Sequence, residues 1–229
     1  MKKILTTSYF CIAVLLLNAQ KFKVDTIHYS GPTENRVNLV ILGDGYTSAE
    51  QAKFLSDANT IKTKFLETSP YTEYKNYFNV FAVEVISTQS GASHAGNSSD
   101  NACAGQPTAT VNNYFGSAFD AGGGGYHRLL VVTKNSAVTN VLATNTPFYD
   151  QALIIVNTTY YGGAGGQHAV SSMASSASEI AIHEVGHSFP SLADEYWAGS
   201  QYTTDAKPNM TSNGTSSTVK WKIWNGVNT

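Results

Sequence analysis

The residues with the clearest chemical potential are two histidines four positions apart, His183 and His187. On a helix, positions i and i+4 lie one turn apart on the same face, so both imidazoles can bind one metal ion. Glu184 lies beside that face, where its carboxylate can hold and deprotonate a water molecule that the metal has made acidic. The segment HEVGH therefore predicts a zinc-dependent hydrolytic site with Glu184 as the general base.

A catalytic zinc site generally needs a third protein ligand besides the two histidines. Pro190 disfavours further helix and bends the chain, and Asp194 and Glu195 follow it closely. We predict Asp194 as the third ligand and keep Glu195 as the alternative. Either one could instead be a surface carboxylate or brace a ligand from behind. Asp205 is a weaker candidate, because it stands isolated in polar sequence.

Tyr196 follows directly after the two carboxylates. Its phenol can donate a hydrogen bond to the oxyanion of a tetrahedral intermediate. The alternative is a tyrosine that only packs against its neighbours. Tyr196 is therefore a candidate oxyanion stabiliser.

The helix that carries the motif is predicted to be amphipathic. It starts at Ser176 or Ser178. Three apolar residues lie opposite His183 on a helical projection: Ile182, Val185 and Phe189. One face can therefore pack into a core while the other faces a cleft. A chance HExxH on a solvated surface helix would not need this division.

Strands and helices that could position this helix are spread unevenly along the chain. Apolar runs predict strands at 37–42, 78–86, 127–132 and 152–156. A helix is predicted from Thr47 or Ser48 to about Thr68, where Pro70 ends it. The glycine run 122–125 precedes the third strand, and the segment 162–166 (GGAGG) predicts a flexible turn. This order favours a mixed α/β (α+β) layer over a regular doubly wound sheet.

Two further segments lack apolar patterning. The stretch 87–110 is rich in Ser, Gly, Asn and Ala and predicts a solvated surface loop. The alternative is that this loop, with His94, borders the cleft. After Tyr196 the chain is again polar and loop-like.

The N-terminal residues predict export. Lys2 and Lys3 precede a short apolar run that ends near Ala19, which is the layout of a secretory signal. We expect 1–19 to be a signal peptide and 20–229 to be one catalytic domain, secreted to the extracellular space, periplasm or cell surface. The alternative is an N-terminal membrane helix. No later segment is apolar enough to span a membrane. Cys11 lies in the signal, which leaves Cys103 alone in the mature chain.

The charge of the chain limits its partners. Formal net charge is −2 and only 13% of residues are charged, so the basic face that nucleic-acid binding needs is absent from the composition. The expected partner is a protein or glycoprotein substrate. The sequence does not indicate an oligomeric state.

The segment 183–196 (HEVGHSFPSLADEY) resembles the IgA-peptidase family of bacterial metalloendopeptidases, which is grouped with metzincin-like zinc peptidases. That family shows HExGH followed by Leu-x-Asp-Glu-Tyr. Further segments that fit it are 43–47 (GDGYT), 114–117 (YFGS), 127–130 (HRLL), 208–211 (PNMT) and 221–224 (WKIW). The resemblance covers most of the mature chain.

The resemblance implies a metzincin-like twisted mixed sheet packed on an active-site helix. It also implies a Zn²⁺ ion held by His183, His187 and Asp194, with Glu184 as the base. The spacing departs from metzincins, because Pro190 stands where they carry a glycine and Ala193 where they carry the third ligand. The third ligand must then be shifted along the chain.

The sequence as a whole predicts a secreted zinc metalloendopeptidase, and two alternatives are left open. One is a secreted binding or adhesion module with a structural metal, which would show a closed ligand shell without a water position. The other is an inactive, truncated relative. Family members continue beyond the 221–224 segment with further sequence that this chain lacks. The chain could therefore be a fragment of the catalytic domain.

Overall fold

The computed structural model describes residues 20–98, 105–120, 126–196 and 207–224. Its centre is a six-stranded mixed sheet in the order β1-β3-β2-β7-β9-β8. The inner strands β3, β2, β7 and β9 run parallel, and the edge strands β1 and β8 are antiparallel to their neighbours. The strands span β1 Val24–His28, β2 Val37–Asp44, β3 Phe78–Val83, β7 Gln151–Val156, β8 Gly163–Ala164 and β9 Ala169–Ser172.

Three α-helices cover the sheet: α1 Gln51–Glu67, α2 Asn135–Asn145 and α3 Ala177–Ser188. A short 3₁₀ turn, Ser48–Glu50, precedes α1. There Thr47 and Glu50 form a capping box, in which the Glu50 carboxylate accepts hydrogen bonds from the backbone N–H and the hydroxyl group of Thr47. This box sets the start of α1, and α1 ends before the turn at Pro70.

Alternate residues of β2 divide the core into two layers. Leu39 and Ile41 point to the face that α1 and α3 cover. Val40 and Leu42 point to the opposite face, which is packed by α2 and by aromatic residues of a smaller sheet. All four side chains are buried because both faces of the parallel strands are covered. The motif helix α3 therefore rests on one face of a sheet whose inner strands are buried.

The smaller sheet has the order β4-β5-β6. Its strands are β4 Ser93–His94, β5 Ser117–Phe119 and β6 Val131–Val132. Asp44, at the end of β2, joins it to the large sheet, because its buried carboxylate accepts hydrogen bonds from the backbone N–H groups of Tyr114, Phe115 and Ser117. One carboxylate thereby fixes the loop before β5.

The mixed α/β fold is confirmed, together with the predicted strands β2 and β7 and both predicted helices. The strand predicted at 78–86 ends at Val83, and only Val131–Val132 of the segment 127–132 is extended, within the smaller sheet. The prediction of a featureless loop at 87–110 was wrong at β4. There His94 is buried, because it pairs with β5 and with Ala109.

The predicted signal peptide 1–19, Cys103, Asp205 and the glycine run 122–125 lie outside the described residues. The division into signal and catalytic domain stays a prediction. In the part of the chain that the structure describes, no helix is both long and apolar enough to cross a membrane.

Candidate metal centre and cleft

The helix α3 places the HEVGH residues at the boundary between core and cleft. Its N-cap is Ser176, one of the two predicted starts. The buried positions follow helical spacing and are Ala177, Ile180, Ala181, Glu184 and Val185. The predicted division of α3 into a core face and a cleft face was wrong in part. Phe189, predicted on the core face, is 42% exposed, while Ile180, on the Glu184 side, is buried beneath β8. Glu184 consequently lies at the buried edge of the helix.

Three predicted ligand atoms converge at one point of the cleft. His183 Nε2 and His187 Nε2 lie 3.0 Å apart. Asp194 Oδ1 lies 3.0 Å from the first and 3.2 Å from the second. A tetrahedral zinc ion with bonds of about 2.0–2.1 Å separates its ligand atoms by about 3.3 Å. This nearly equilateral triangle of two imidazoles and one carboxylate therefore fits a zinc ion.

The tautomer of His187 suits metal binding. Its Nδ1 lies 2.8 Å from the carbonyl oxygen of Leu192 and donates to it. A carbonyl oxygen only accepts, so the proton is on Nδ1 and the lone pair of Nε2 faces the other two ligand atoms. Such a hydrogen bond behind a ligand histidine is the usual way to orient the ring.

Two contacts bring Asp194 back to the helix after Pro190. The N–H of Leu192 donates to the Gly186 carbonyl oxygen over 3.0 Å. The Asn209 side chain then holds both polar backbone groups of Ala193, with Oδ1 and Nδ2 each 2.8 Å from their partners. Asn209 thus fixes the residue next to Asp194. In the sequence, the segment 208–211 was marked only by its resemblance to the family. Asn209 lies too far along the chain from Ala193 for the sequence to reveal this contact.

Glu184 lies in an environment that suits a general base. The residue is 9% exposed. Burial raises its pKa to about 7; the Asp194 carboxylate adds to the rise, while His187 and Arg128 oppose it. A carboxylate whose pKa lies near neutrality can both accept and return a proton in neutral solution.

The glycine-rich segment before β9 packs directly on α3. A Cβ at Gly163 would lie 2.6 Å from Ile180 Cγ2, and a Cβ at Gly165 would overlap His187 Cβ. The prediction of a flexible turn at 162–166 was wrong for Gly163–Ala164, which form the edge strand β8. Close approach to the helix explains why glycines stand there.

The remaining predicted residues lie around the triangle. Glu195 is exposed, and its Oε1 lies 3.4 Å from Asn209 Nδ2, outside the group of three ligand atoms. Tyr196 is 50% exposed at the cleft, with the Arg128 guanidinium 5.9 Å from its ring centre. The positive charge of Arg128 also acts on the Glu184 carboxylate and lowers its pKa. The sequence signalled Arg128 only as part of the family-like segment 127–130.

An open cleft of about 1460 Å³ surrounds these groups. Its walls come from α3, from β8 and the glycines after it, from the segment around Arg128 and from the chain that follows Pro190. The residues nearest the chemistry are Arg128, Gly163, His183, Glu184, His187, Asp194 and Tyr196. Tyrosines at 126 and 161 widen the apolar part of the wall.

The comparison with known protein families agrees with a metal site in this cleft. A family model described as IgA Peptidase M64 matches residues 26–229. No curated protein matches the chain. The matched range contains all the ligand candidates, the general-base candidate, the smaller sheet and all of the large sheet except the first two residues of β1.

Proposed function

This chain belongs to the IgA peptidase M64 family and is a metalloendopeptidase, and we propose that its metal is zinc, with Glu184 as the general base. The observation that carries the proposal is the triangle of His183 Nε2, His187 Nε2 and Asp194 Oδ1, with sides of 3.0–3.2 Å beside the Glu184 carboxylate. Two imidazoles and one carboxylate are a frequent ligand set of catalytic zinc.

In this proposal three protein ligands leave one coordination position for water, as catalytic zinc sites require. Bound zinc would polarise the scissile carbonyl and lower the pKa of water. His187 is held in the ligand tautomer by Leu192, and Asp194 is positioned by the Asn209 contacts to Ala193. Glu195 is assigned no ligand role.

Glu184 would accept a proton from the attacking water and deliver it to the leaving amine. Its buried position supports this role, since the raised pKa lets both protonation states occur near neutral pH. The carboxylate is held against β8, so its position relative to the ligands is restricted. Tyr196, on the rim of the cleft, is the proposed donor to the oxyanion.

The proposed substrate is a segment of an extracellular protein or glycoprotein in extended conformation. The cleft is open, and β8 with the glycines after it forms one wall, in which the Gly163 N–H already donates to the Arg128 carbonyl oxygen. The backbone beyond that bond, at Ala164 and the glycines that follow, is the part to which an extended peptide can pair. Secretion is part of the proposal and rests on the signal-like residues 1–19.

The test compares wild type with Glu184→Gln on an unfolded protein substrate, with metal content measured by mass spectrometry. We expect about one zinc at this site in both proteins and loss of hydrolysis by several orders of magnitude in the variant. Full activity of Glu184→Gln would overturn the general-base assignment. A wild type that binds zinc here but cleaves nothing would favour the binding module or the inactive relative.

A further inference from the structure

A second group of metal-ligating side chains lies in the smaller sheet. His94 in β4, Asp120 directly after β5, and His127 before β6 bring their ligand atoms within 4.8 Å of one another. All three residues are at most 4% exposed. None of them belongs to the triangle of His183, His187 and Asp194. Ionisable side chains are rarely buried together unless something compensates their charge.

The hydrogen bonding of His94 leaves a lone pair facing a carboxylate. Its Nδ1 lies 3.0 Å from the Pro107 carbonyl oxygen and must donate to it. In the neutral ring Nε2 then has no proton, yet it lies 3.2 Å from Asp120 Oδ2. Within the described ranges His94 Nε2 makes no hydrogen bond. Two acceptors so close repel each other unless a cation lies between them or His94 is protonated.

Asp120 is shared by both histidines. Its Oδ1 lies 3.0 Å from His127 Nδ1, and its Oδ2 accepts a hydrogen bond from the Gly96 N–H over 3.0 Å. The contact to His127 is within hydrogen-bonding distance, and a bound cation would take the place of the proton between the two groups. Asp120 also has a φ of 61°, which an L-residue rarely adopts. Its carboxylate is thus held in place between two imidazoles.

The spacing suits a small divalent cation. His94 Nε2 lies 3.2 Å from Asp120 Oδ2 and His127 Nδ1 lies 3.0 Å from Asp120 Oδ1, so the two imidazoles meet the two oxygens of one carboxylate at distances close to the separation of about 3.3 Å between ligands of tetrahedral zinc. The Pro107 carbonyl behind His94 is the outer partner that ligand histidines usually have. We propose that His94, Asp120 and His127 form a second zinc site, buried and structural, separate from the candidate catalytic centre.

The proposed second site lies directly behind one wall of the cleft. His127 stands between Tyr126 and Arg128, both of which line the cleft. On its other side His127 stacks on Phe119, with ring centres 4.8 Å apart. A zinc ion here fixes the segment that carries Arg128, and with it the wall opposite α3.

The test counts metal ions in the full chain after dialysis against metal-free buffer. Wild type is expected to retain about two zinc ions. His183→Ala combined with His187→Ala removes the first site, and this double variant is expected to keep about one. Adding Asp120→Asn, which conserves shape, should reduce the count to zero. His168→Gln in the double variant is the matched control, because His168 is buried outside both clusters, and the count should stay at one.

A folded double variant without zinc would overturn the second site, whatever happens at the first. If the triple variant does not fold, cobalt(II) added to the double variant gives an independent measurement. Tetrahedral cobalt bound by imidazole should show strong visible absorption, and its absence would contradict the proposal, as would a zinc count that Asp120→Asn leaves unchanged. If His94 is protonated and no metal binds beside it, the double and triple variants should both contain no zinc.

Discussion

Gly163 in the edge strand β8 leaves no space for a side chain beside the Glu184 carboxylate. A Cβ at Gly163 would lie 2.9 Å from Glu184 Oε1 and 3.0 Å from the Val170 carbonyl oxygen. The backbone of β8 is held on the other side by pairing with β9. The general-base candidate therefore lies so close to β8 that only a glycine fits between them.

The first prediction is that Gly163→Ala lowers peptidase activity by about 10- to 100-fold, because the methyl group must displace Glu184 or β8. The ligands stay in place, so zinc content should be unchanged. The measurement is kcat/KM on a peptide substrate, with metal content determined in parallel. Gly214→Ala is the control, since a Cβ there meets nothing within 4 Å. Equal loss in both variants would exclude a specific effect on Glu184.

The second prediction separates the two carboxylates that follow Pro190. Asp194→Asn should weaken zinc binding by at least about 100-fold, more than the loss of an outer partner usually costs. Glu195→Gln should change it little, because Glu195 contacts Asn209 instead of the histidines. Competition with a chelator of known affinity measures both. The reverse order would make Glu195 the ligand.

The third prediction concerns Gly186 in the last turn of α3. A Cβ there would meet only Leu192 Cδ1, at an ordinary contact distance of 3.8 Å. Gly186→Ala should therefore raise the free energy of unfolding by about 0.5–1 kcal/mol, the usual penalty of a helical glycine. Urea denaturation measures it. Gly165→Ala is the contrasting variant and should destabilise, because its methyl group would overlap His187 Cβ.

The fourth prediction concerns pH and Glu50. Burial acts to raise the pKa of Glu50, but hydrogen bonds from Thr47, Ser90 and Asn157 outweigh it and lower the pKa. A lowered folded-state pKa gives stability that is present above the unfolded value and is lost as pH falls through the folded one. Glu50→Gln should cost about 1 kcal/mol at pH 7 and progressively less in acid.

Unfolding by urea across a pH series checks this dependence. The exposed Glu34 gives the matched control, and Glu34→Gln should leave stability nearly unchanged at each pH. A Glu50→Gln deficit that stays constant down to the lowest measurable pH would show that the carboxylate charge has no part in it.

Long elements with strong patterns were predictable. The apolar runs of β2 and β7 and the helices α1 and α3 are where the sequence placed them, because each carries its own periodicity and end signals. The strands β4, β5, β6 and β8 have only two or three residues. Such short strands exist through pairing with distant partners, so local sequence carries little signal of them.

By itself, the sequence determined that His183 and His187 share one face, because helical spacing places them there whatever the rest of the chain does. It also gave two neighbouring carboxylates as the main candidates for a third ligand, with Asp205 as a weaker one. Tertiary structure alone decided which carboxylate meets the histidines, since that depends on how Asn209 and Gly186 hold the returning chain. It likewise brought together His94, Asp120 and His127, whose separation along the chain conceals a contact that only sheet pairing creates.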